Sequence, residues 1–421
     1  MKDETKCLHA GYTPGNGDPR VVPIVQSTTF TFDSTQEVAA VFDDPTKAII
    51  YSRFANPTVM AVEEKINQLE GGVGAMCTSS GQAANLLAIL NLCEAGDSII
   101  STPEIYGGTV NLFTHTIRKL GIECIYVAKD ATEEEIDNAF KDNTKLVFGE
   151  TIANPALDVF DIEKFARIAH KHNVPLIMDN TFATPIFCRP FEFGADIVTH
   201  STTKYMDGHA VQGGGIIVDS GNFDWTKGNF PGLTEPDITY HGLSYTETYG
   251  KAAYILKARM QLMRDFGCYP AAHSAFLLNL GLETLAVRME RYCKNAQTVA
   301  EYLEKLLEVE SITYPGLPGD ENYPLAQKYL KDASGVISLV VKGGREGAMK
   351  WMNALELASN EVHVADIRTC VLHPASETHR QLSEEGLKAA GIESGMVRLS
   401  VGLENVEDII EDLEKGFAAI R

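Results

Sequence analysis

Short apolar runs alternate with helical patterns between residues 57 and 218, and this alternation most constrains what the chain can fold into. The segment 58–70 has apolar residues at helical spacing and ends at a Gly-Gly pair that suits a helix C-cap. We therefore predict an α/β fold with a mostly parallel central sheet and helices on both faces. The predicted strands are 74–78, 97–102, 123–128, 145–150, 175–179, 195–200 and 213–218, and the predicted helices between them are 82–93, 107–120 and 161–173.

The two flanks of this region have different patterns. Residues 1–50 contain several Gly and Pro and few periodic apolar positions, which predicts an irregular N-terminal arm. We divide the chain into that arm, an α/β domain at 51–250 and a smaller α+β domain at 251–421. The C-terminal part shows helical patterns at about 247–265, 272–308 and 405–420, and strand patterns near 335–342, 368–373 and 396–402.

Charge and cysteine content exclude several classes of protein. The net charge of −21 repels phosphate backbones, so neither nucleic acid nor an anionic membrane surface is an expected partner. The N-terminus lacks the apolar core of a signal peptide, and no apolar run is long enough to cross a bilayer. The eight cysteines form no C-x-x-C pair, which predicts reduced thiols in a cytoplasmic protein. Neither Cys7 with His9 nor His373 with His379 has a third ligand at a recognisable spacing, so we predict no metal site.

Polar residues lie at or just beyond the ends of three of the predicted strands, at the edge where an open α/β sheet binds its ligands. These residues are Asn154, Asp179 and Lys204. Asp179 alone suits a turn, and most lysines are solvated, so neither residue is informative by itself. Together they offer what a cofactor with a protonated pyridine and an aldehyde needs, a buried carboxylate at one end and an amine at the other.

A second group of residues suits an anion. Free amides at a helix N-terminus beside Gly81 and Gln82 form an anion site, although an ordinary N-cap explains the same segment equally well. Ser201 and Thr203 each offer a hydroxyl to a phosphate. The glycines at 213–215 allow a backbone to pass close by.

Four further residues carry groups that suit such a ligand. Tyr51 and Arg53, in YSRFANPT, supply a phenol and a guanidinium, and arginine binds phosphate through its planar fork. Tyr106 follows a strand end and is placed to lie on a flat ring. Arg398 lies inside a strand pattern, where an arginine is costly unless it is paired. Each role has an ordinary alternative: Arg53 as a surface arginine, Tyr106 as a core tyrosine and Arg398 as a member of an internal ion pair.

Taken together, these motifs resemble the cystathionine synthase/lyase family of pyridoxal phosphate (PLP) enzymes of Cys and Met metabolism. That family has PLP fold type I, the aspartate-aminotransferase-like fold. The resemblance covers almost the whole chain, and the matching motifs occur in the family's order: HAG, VPI, STTF, YSRxxNPT, SSGQAA, YGGT, MDNT, HSTTKYMDGH and HPAS…GxVRLSVGLE. The segments 234–259 and 261–267 are most similar to the O-acetylhomoserine sulfhydrylase branch. Methionine γ-lyases commonly carry a cysteine where this chain has Gly108.

The resemblance implies a role for each candidate residue. Lys204 forms the Schiff base with PLP and serves as the base at Cα, while Asp179 pairs with the pyridine nitrogen. Tyr106 stacks on the ring, and Asn154 contacts the 3-hydroxyl. The resemblance also implies that Arg398 and Ser338 bind the substrate carboxylate. It implies a phosphate site formed by Gly81, Gln82, Ser201 and Thr203. Tyr51 and Arg53 would reach that phosphate from a neighbouring subunit.

The implied activity is a γ-replacement in methionine biosynthesis, catalysed by a transferase that is usually a homotetramer. O-acetylhomoserine and sulfide give homocysteine and acetate, and methanethiol in place of sulfide gives methionine. The alternative within the family is a methionine or cystathionine γ-lyase. The leaving group is either acetate or succinate, and the sequence does not identify the physiological sulfur donor.

Two explanations lie outside this family. Residues 201–204 match S-x-x-K, the acyl-enzyme motif of penicillin-binding proteins, but S-D-N and K-T-G do not occur. The serine of that motif opens a helix, whereas Ser201 follows a predicted strand. A non-enzymatic protein of this fold has no need for Lys204, Asp179, Tyr106 and Arg398 together, since a fold alone does not imply a function.

Overall fold

The computed structural model describes residues 1–44, 46–378, 380, 387 and 391–421, and His379 lies outside them. Two sheets organise the described residues, one with seven strands and one with five. All eight cysteines are free thiols, which agrees with the sequence prediction. Within the described ranges, every helix is too short or too polar to cross a membrane.

The seven-stranded sheet has the order β1-β7-β6-β5-β4-β2-β3. Strands β2 to β6 run parallel to their neighbours in that group, and β7 runs antiparallel to both β1 and β6. The prediction of a mostly parallel central sheet is therefore confirmed. Its strands are β1 (Gly74–Thr78), β2 (Ser98–Ser101), β3 (Glu123–Tyr126), β4 (Thr144–Glu150), β5 (Leu176–Asp179), β6 (Ile197–His200) and β7 (Gly215–Asp219).

Helices cover both faces of this sheet because neighbouring residues of each strand point to opposite faces. Met178 packs in the same core as the helices Pro57–Glu70 and Ile162–Lys171. Its neighbour Ile177 packs on the opposite face with the helix Gly81–Leu90. The remaining α-helices up to residue 266 are Asp3–His9, Thr35–Asp43, Gly107–Asn111, Glu133–Asn138, Thr184–Phe187, Pro231–Thr234, Tyr245–Tyr249, Ala253–Lys257 and Arg264–Phe266.

The five-stranded sheet follows two long helices and has the order β10-β11-β12-β9-β8. Its strands are β8 (Val309–Thr313), β9 (Val336–Val341), β10 (Ser359–Asn360), β11 (Cys370–Leu372) and β12 (Met396–Ser400). The α-helices of this part are Ala272–Glu283, Leu285–Leu303, Tyr323–Tyr329, Gly344–Asn353 and Val406–Ile420. An α+β arrangement at the C-terminal end agrees with the sequence, and the domain boundaries at 50 and 250 stay predictions.

Several predicted elements differ in the structure. The N-terminal arm is predicted to be irregular, but the structure contains the helices Asp3–His9 and Thr35–Asp43 in it. The sequence does not indicate them because they are too short to show a helical period. The predicted helix 107–120 is one helical stretch that changes from α to π (Leu112–Thr116) and then to 3-10 (Ile117–Leu120). The predicted helix 272–308 is divided at Thr284 and ends at Leu303.

The predicted helix 247–265 is also divided. A 3-10 turn at Gly250–Ala252 precedes the helix Ala253–Lys257, and a π segment follows at Ala258–Met263. Gly250 has a φ of 54°, which a glycine adopts without strain and which ends the preceding α-helix. Further 3-10 segments lie at Pro190–Phe193 and Ile238–Tyr240.

The core of the C-terminal part gives a test of this packing. Leu413 is 0% exposed on the helix Val406–Ile420, whereas Leu307 is 80% exposed. We expect Leu413→Ala to lower the free energy of unfolding by about 2–5 kcal/mol, because it removes buried methyl groups and leaves a cavity. The matched change Leu307→Ala is expected to cost less than about 0.5 kcal/mol. Urea denaturation measures both values, and equal costs would contradict the placement of this helix.

Candidate active site

Three strands of the large sheet end side by side at the site. Glu150 pairs with Asp179 in the register of β4 and β5, and Asp179 pairs with Thr199 in the register of β5 and β6. Lys204 lies just beyond the end of β6, in a series of turns and not in a helix. Asp179 and Lys204 therefore lie at and just beyond the carboxyl ends of neighbouring parallel strands, and the helix that the S-x-x-K motif requires is not formed at residues 201–204.

The carboxylate of Asp179 is buried and held by neutral donors. Its exposed fraction is 8%. The Asn85 amide donates to Oδ2 at 3.2 Å, and the Thr181 backbone N–H donates to Oδ1 at 3.1 Å, with the Thr181 hydroxyl donating to the same oxygen. These bonds fix the orientation of the group, as a carboxylate that is to meet a ring nitrogen requires.

A second carboxyl group lies next to it. Glu150 is buried, and the backbone N–H of Tyr106 donates to its Oε2 at 2.6 Å. Burial raises the pKa of Glu150 well above its usual range, and the charge of Asp179 raises it further. Two adjacent buried carboxyl groups do not both ionise readily, so this arrangement favours the neutral form of Glu150.

The amine of Lys204 is largely desolvated. Burial first, and the positive charge of Arg398 second, lower the pKa of Lys204 to about 8. Its Nζ lies 3.4 Å from Nδ1 of His363. A lysine in this state has a far larger neutral fraction near neutral pH than an ordinary lysine, and the neutral amine is the nucleophile and the base.

An anion cradle lies where β1 leads into the helix Gly81–Leu90. The side chain of Ser80 caps the helix by accepting from the backbone N–H of Ala83 at 3.1 Å, and the first amides of a helix have no acceptor within it. Gly81 packs directly on Ser201, because a Cβ at Gly81 would lie 2.6 Å from the Ser201 Cβ. The predicted phosphate residues Gly81, Gln82 and Ser201 are therefore brought together.

The glycine-rich segment and Thr203 lie beside this cradle. A Cβ at Gly215 would lie 2.3 Å from the carbonyl oxygen of Ser80, so the backbone passes close by, as predicted. The Thr203 hydroxyl accepts from the Gly214 N–H at 3.0 Å. Its predicted contact with a phosphate stays a prediction, because here the hydroxyl fixes the glycine segment.

Gly108 lies close to the side chains of Tyr106 and Gln82. Tyr106 is 47% exposed. A Cβ at Gly108 would lie 2.5 Å from Cε1 of Tyr106 and 2.8 Å from Nε2 of Gln82. The cysteine that is common in γ-lyases at this position would force both of these side chains to move.

Arg398 joins the two sheets. It is 5% exposed, and its Nη1 donates to Oδ1 of Asn154 at 3.0 Å across 244 residues of sequence. Its Nη2 donates to the carbonyl of His363 at 2.8 Å. In the described part of the chain its hydrogen-bond partners are neutral, so no carboxylate is hydrogen-bonded to the buried charge. Ser338 pairs with Arg398 in the register of β9 and β12, so both side chains lie on one face.

Tyr51 and Arg53 are not brought to this cluster within one chain. Tyr51 forms an isolated bridge with Thr29. The Arg53 guanidinium lies 5.4 Å from the centre of the Tyr51 ring and donates to the carbonyl of Arg264. Among the described contacts of Arg53, none reaches Lys204 or the cradle. Their predicted role in a neighbouring subunit's site stays a prediction.

Sequence reasoning missed several residues of this site. Thr181 follows Asp179 by two positions, a spacing typical of Asx turns that could have indicated its hydrogen bond. Glu150 is the last residue of β4, so the strand-end position that indicated Asp179 could also have indicated Glu150, whereas Asn85 lies inside a helix with no distinguishing pattern. His363 lies in a connection before β11, and no motif marks it.

The cluster fits PLP on the observations of this structure. It offers an amine of lowered pKa, a fixed carboxylate and an anion cradle, which are the three groups that the cofactor requires. Among the described side chains, three buried polar atoms of the site have no partner, and such atoms ordinarily bind a ligand. These atoms are Oε1 of Gln82, Oγ of Ser338 and Nε2 of His363.

The close contact at Gly81 predicts how the cradle responds to a methyl group. Gly81→Ala would push against Ser201, whereas a Cβ at Gly213 meets nothing within 4 Å. We expect Gly81→Ala to weaken PLP binding by about tenfold or more, since one misplaced hydrogen-bonding group costs about 1.4 kcal/mol. Gly213→Ala is the matched control and is expected to leave it unchanged. Absorbance titration of the cofactor-free protein measures both, and equal affinities would contradict the cradle.

Known proteins with similar sequences and structures cover the whole chain. It is 42% identical over 434 residues to the O-acetyl-L-homoserine sulfhydrylase of Leptospira meyeri, covering 100% of this chain and 97% of that one. It is 45% identical over 424 residues to the O-acetyl-L-homoserine sulfhydrylase of Corynebacterium glutamicum, covering 99% of this chain and 97% of that one.

A solved structure leads to the same family. A putative O-acetylhomoserine (thiol)-lyase of Campylobacter jejuni, in which a lysine carries a pyridoxyl monophosphate group, superposes with a TM-score of 0.95. It is 35% identical, and the match covers 99% of this chain and 100% of that one. The family model described as Cys/Met metabolism PLP-dependent enzyme matches residues 4–418. The chain therefore belongs to the Cys/Met metabolism family of PLP-dependent enzymes.

Proposed function

We propose that this chain replaces the acetoxy group of O-acetylhomoserine with sulfide. The Cγ–O bond breaks, a Cγ–S bond forms, and the products are homocysteine and acetate. The observation that carries the proposal is the buried Arg398, without a carboxylate partner, beside the low-pKa amine of Lys204. An amino acid substrate needs a cation for its carboxylate and a base for its α-proton at one place. Full-length relatives with this activity in their names support the choice of substrate.

The proposed cofactor contacts use this chain's own groups. When bound, PLP withdraws electrons from the carbon next to the substrate nitrogen. Lys204 holds its aldehyde carbon, and Asp179 keeps the ring nitrogen protonated. Tyr106 lies on the ring, and Asn154 contacts the 3-hydroxyl. The phosphate is held by Gly81, Gln82, Ser201 and Thr203.

The proposed substrate contacts explain how Lys204 changes from nucleophile to base. Arg398 binds the substrate carboxylate, and the free hydroxyl of Ser338 donates to it. Arg398 lowers the pKa of Lys204, so a bound carboxylate that compensates its charge raises that pKa again. The freed amine therefore becomes a stronger base when substrate arrives, and it moves the proton at Cα.

The oligomeric state and location belong to the same proposal. Tyr51 and Arg53 have no contact with the cluster of their own chain among the described residues, which supports a site completed across a dimer interface. A homotetramer, built as a dimer of dimers, follows the family expectation. Eight free thiols support a location in the cytoplasm.

Two incubations test the function. The purified protein with O-acetylhomoserine and sulfide is expected to release homocysteine, and with methionine alone it is expected to release no 2-oxobutyrate. O-succinylhomoserine in place of the acetyl ester identifies the leaving group. The release of 2-oxobutyrate from methionine, without homocysteine formation, would favour the γ-lyase alternative.

Substitution of the lysine tests its role in that reaction. Lys204→Ala is expected to lower homocysteine formation by about 10³-fold or more, because the anchor of the cofactor and the base are lost together. Lys251, an exposed lysine, supplies the matched control Lys251→Ala, which is expected to keep wild-type turnover. Full turnover by Lys204→Ala would rule out the proposed chemistry.

The environment of Lys204 also predicts a pH dependence. Since its pKa is lowered to about 8, the reaction of Lys204 with an amine-directed reagent in cofactor-free protein is expected to rise around that pH. Arg398→Gln removes a charge that disfavours the protonated amine, so the midpoint moves upward. Lys257 is the internal control, because burial lowers its pKa to about 8 without Arg398 among the causes. Mass spectrometry of peptides measures both, and an unchanged Lys204 midpoint in Arg398→Gln would contradict the account.

A further inference from the structure

Four buried polar side chains form a hydrogen-bonded network behind the ligand-binding edge of the large sheet. The Thr151 hydroxyl donates to Oδ1 of Asn180 at 2.9 Å, and the Asn180 amide donates to Oε1 of Glu70 at 3.1 Å. Nε2 of His200 lies 2.5 Å from the same oxygen of Glu70. All four residues are at most 1% exposed. We call these four residues the Glu70 network, because its bonds converge on one atom of Glu70.

Three members of this network stand at the ends of β4, β5 and β6, next in sequence to residues of the site. Successive residues of a strand point to opposite faces of a sheet. Asp179 faces the helix Gly81–Leu90, in which Asn85 donates to it. Asn180 faces the helix Pro57–Glu70 and reaches its last residue. The network therefore holds these strand ends from the face opposite the ligand. The adjacent pairs are Glu150 and Thr151, Asp179 and Asn180, and His200 and Ser201.

The position of Glu70 is itself fixed by the end of its helix. Gly71 has a φ of 84° and forms the left-handed C-cap that ends the helix directly after Glu70. A Cβ at Gly72 would lie 2.6 Å from Cγ1 of Val218, so the chain leaves the helix in close contact with β7. The second carboxyl oxygen of Glu70, Oε2, is buried and has no partner among the described residues. The side-chain hydrogen bonds of Glu70 are therefore made by Oε1, whose two lone pairs accept from the amide and from the imidazole N–H.

We propose that Glu70 is a positioning residue, which holds the ends of β5 and β6 so that the Asp179 carboxylate meets the ring nitrogen of PLP. This inference rests on the contact between Asp179 and that nitrogen in the proposed function. Glu70 acts through Asn180 and His200, since its described side-chain hydrogen bonds end at these two residues. A displacement of about 1 Å caused by a residue outside the reacting groups can lower a rate by about 10²-fold. The placement of Asp179 is therefore sensitive to the loss of Glu70.

Three substitutions separate this role from a contribution to stability alone. Glu70→Met keeps the length of the side chain and removes the acceptor. Glu70→Gln keeps one carbonyl oxygen that can accept both bonds, and its NH2 group takes the place of the unpartnered Oε2. Ile66→Ala is the matched control, because Ile66 is 0% exposed on the same helix and its loss destabilises the protein without removing a bond of the network. If Glu70→Met fails to fold, His200→Phe takes its place.

The readout is the binding of two cofactors to the cofactor-free protein, measured by absorbance titration. One is PLP, and the other is 1-deaza-PLP, in which a carbon replaces the ring nitrogen, so that it cannot pair with Asp179. We expect the wild type to prefer PLP, and Glu70→Met to lower that preference by about tenfold or more, the effect of one lost hydrogen bond to a charged group. Glu70→Gln is expected to stay within about threefold of wild type. Ile66→Ala is expected to keep the wild-type preference while unfolding at a lower urea concentration.

Four outcomes overturn the inference. The first is an unchanged preference for PLP in Glu70→Met, which includes equal weakening of both cofactors. The second is an equal loss of preference in Ile66→Ala, and the third is a glutamine variant as impaired as the methionine variant. Equal binding of both cofactors by the wild type is the fourth, because it removes the contact on which the inference rests. If the protein forms no homocysteine, the proposed function fails, while the ratio of the two affinities still decides the role of Glu70.

A double variant tests whether the network acts as a unit. His200→Phe removes one of the two donors to Oε1 of Glu70. Because the bond between these residues is lost only once, Glu70→Met combined with His200→Phe is expected to lower the preference for PLP by less than the product of the two single effects. Multiplied effects would contradict a shared path from these residues to Asp179.

Discussion

The buried guanidinium of Arg398 is the interaction on which the arrangement of the site depends. It projects from β12 of the five-stranded sheet and donates to Asn154, which follows β4 of the seven-stranded sheet. Burying a charge is costly unless it is hydrogen-bonded, and here an amide oxygen and a backbone carbonyl accept from the guanidinium without neutralising its charge. The two sheets therefore meet around a buried cation that can bind an anionic group of a ligand.

This charge sets the chemistry of its neighbours. It lowers the pKa of Lys204 together with burial, which leaves a neutral amine available. It also contributes to the lowered pKa of His363. Elsewhere in the site, burial first and the charge of Asp179 second raise the pKa of Glu150 well above its usual range. Pairs of titratable groups whose environments push their pKa values apart are a recurring property of active sites.

Much of the fold follows from patterns that a sequence carries locally. The alternation of apolar runs and helices predicts the large sheet, and the Gly71 C-cap is found where the sequence predicts it. The direction of β7 does not follow, because a period of two residues is the same in a parallel and an antiparallel strand. The π segment Leu112–Thr116 likewise cannot be predicted from the sequence, because a π-helix differs from an α-helix in its hydrogen bonding and not in its composition.

The site is predictable where its residues stand at strand ends and not where it depends on long-range contacts. Asp179 and Lys204 are found from their positions in the sheet. The bond between Arg398 and Asn154, and the approach of His363 to Lys204, join residues that no local pattern relates. Their discovery requires the packing of one sheet against the other.

The central claim, that Lys204 holds the cofactor, is tested most directly by chemical trapping. Borohydride reduction of the PLP-loaded protein, followed by proteolysis and mass spectrometry, locates the lysine that carries the pyridoxyl group. We expect it on the peptide that contains Lys204. Lys257 is the informative competitor, because burial lowers its pKa to about 8 as well. A pyridoxyl group on Lys257, or on any other lysine, would contradict the account.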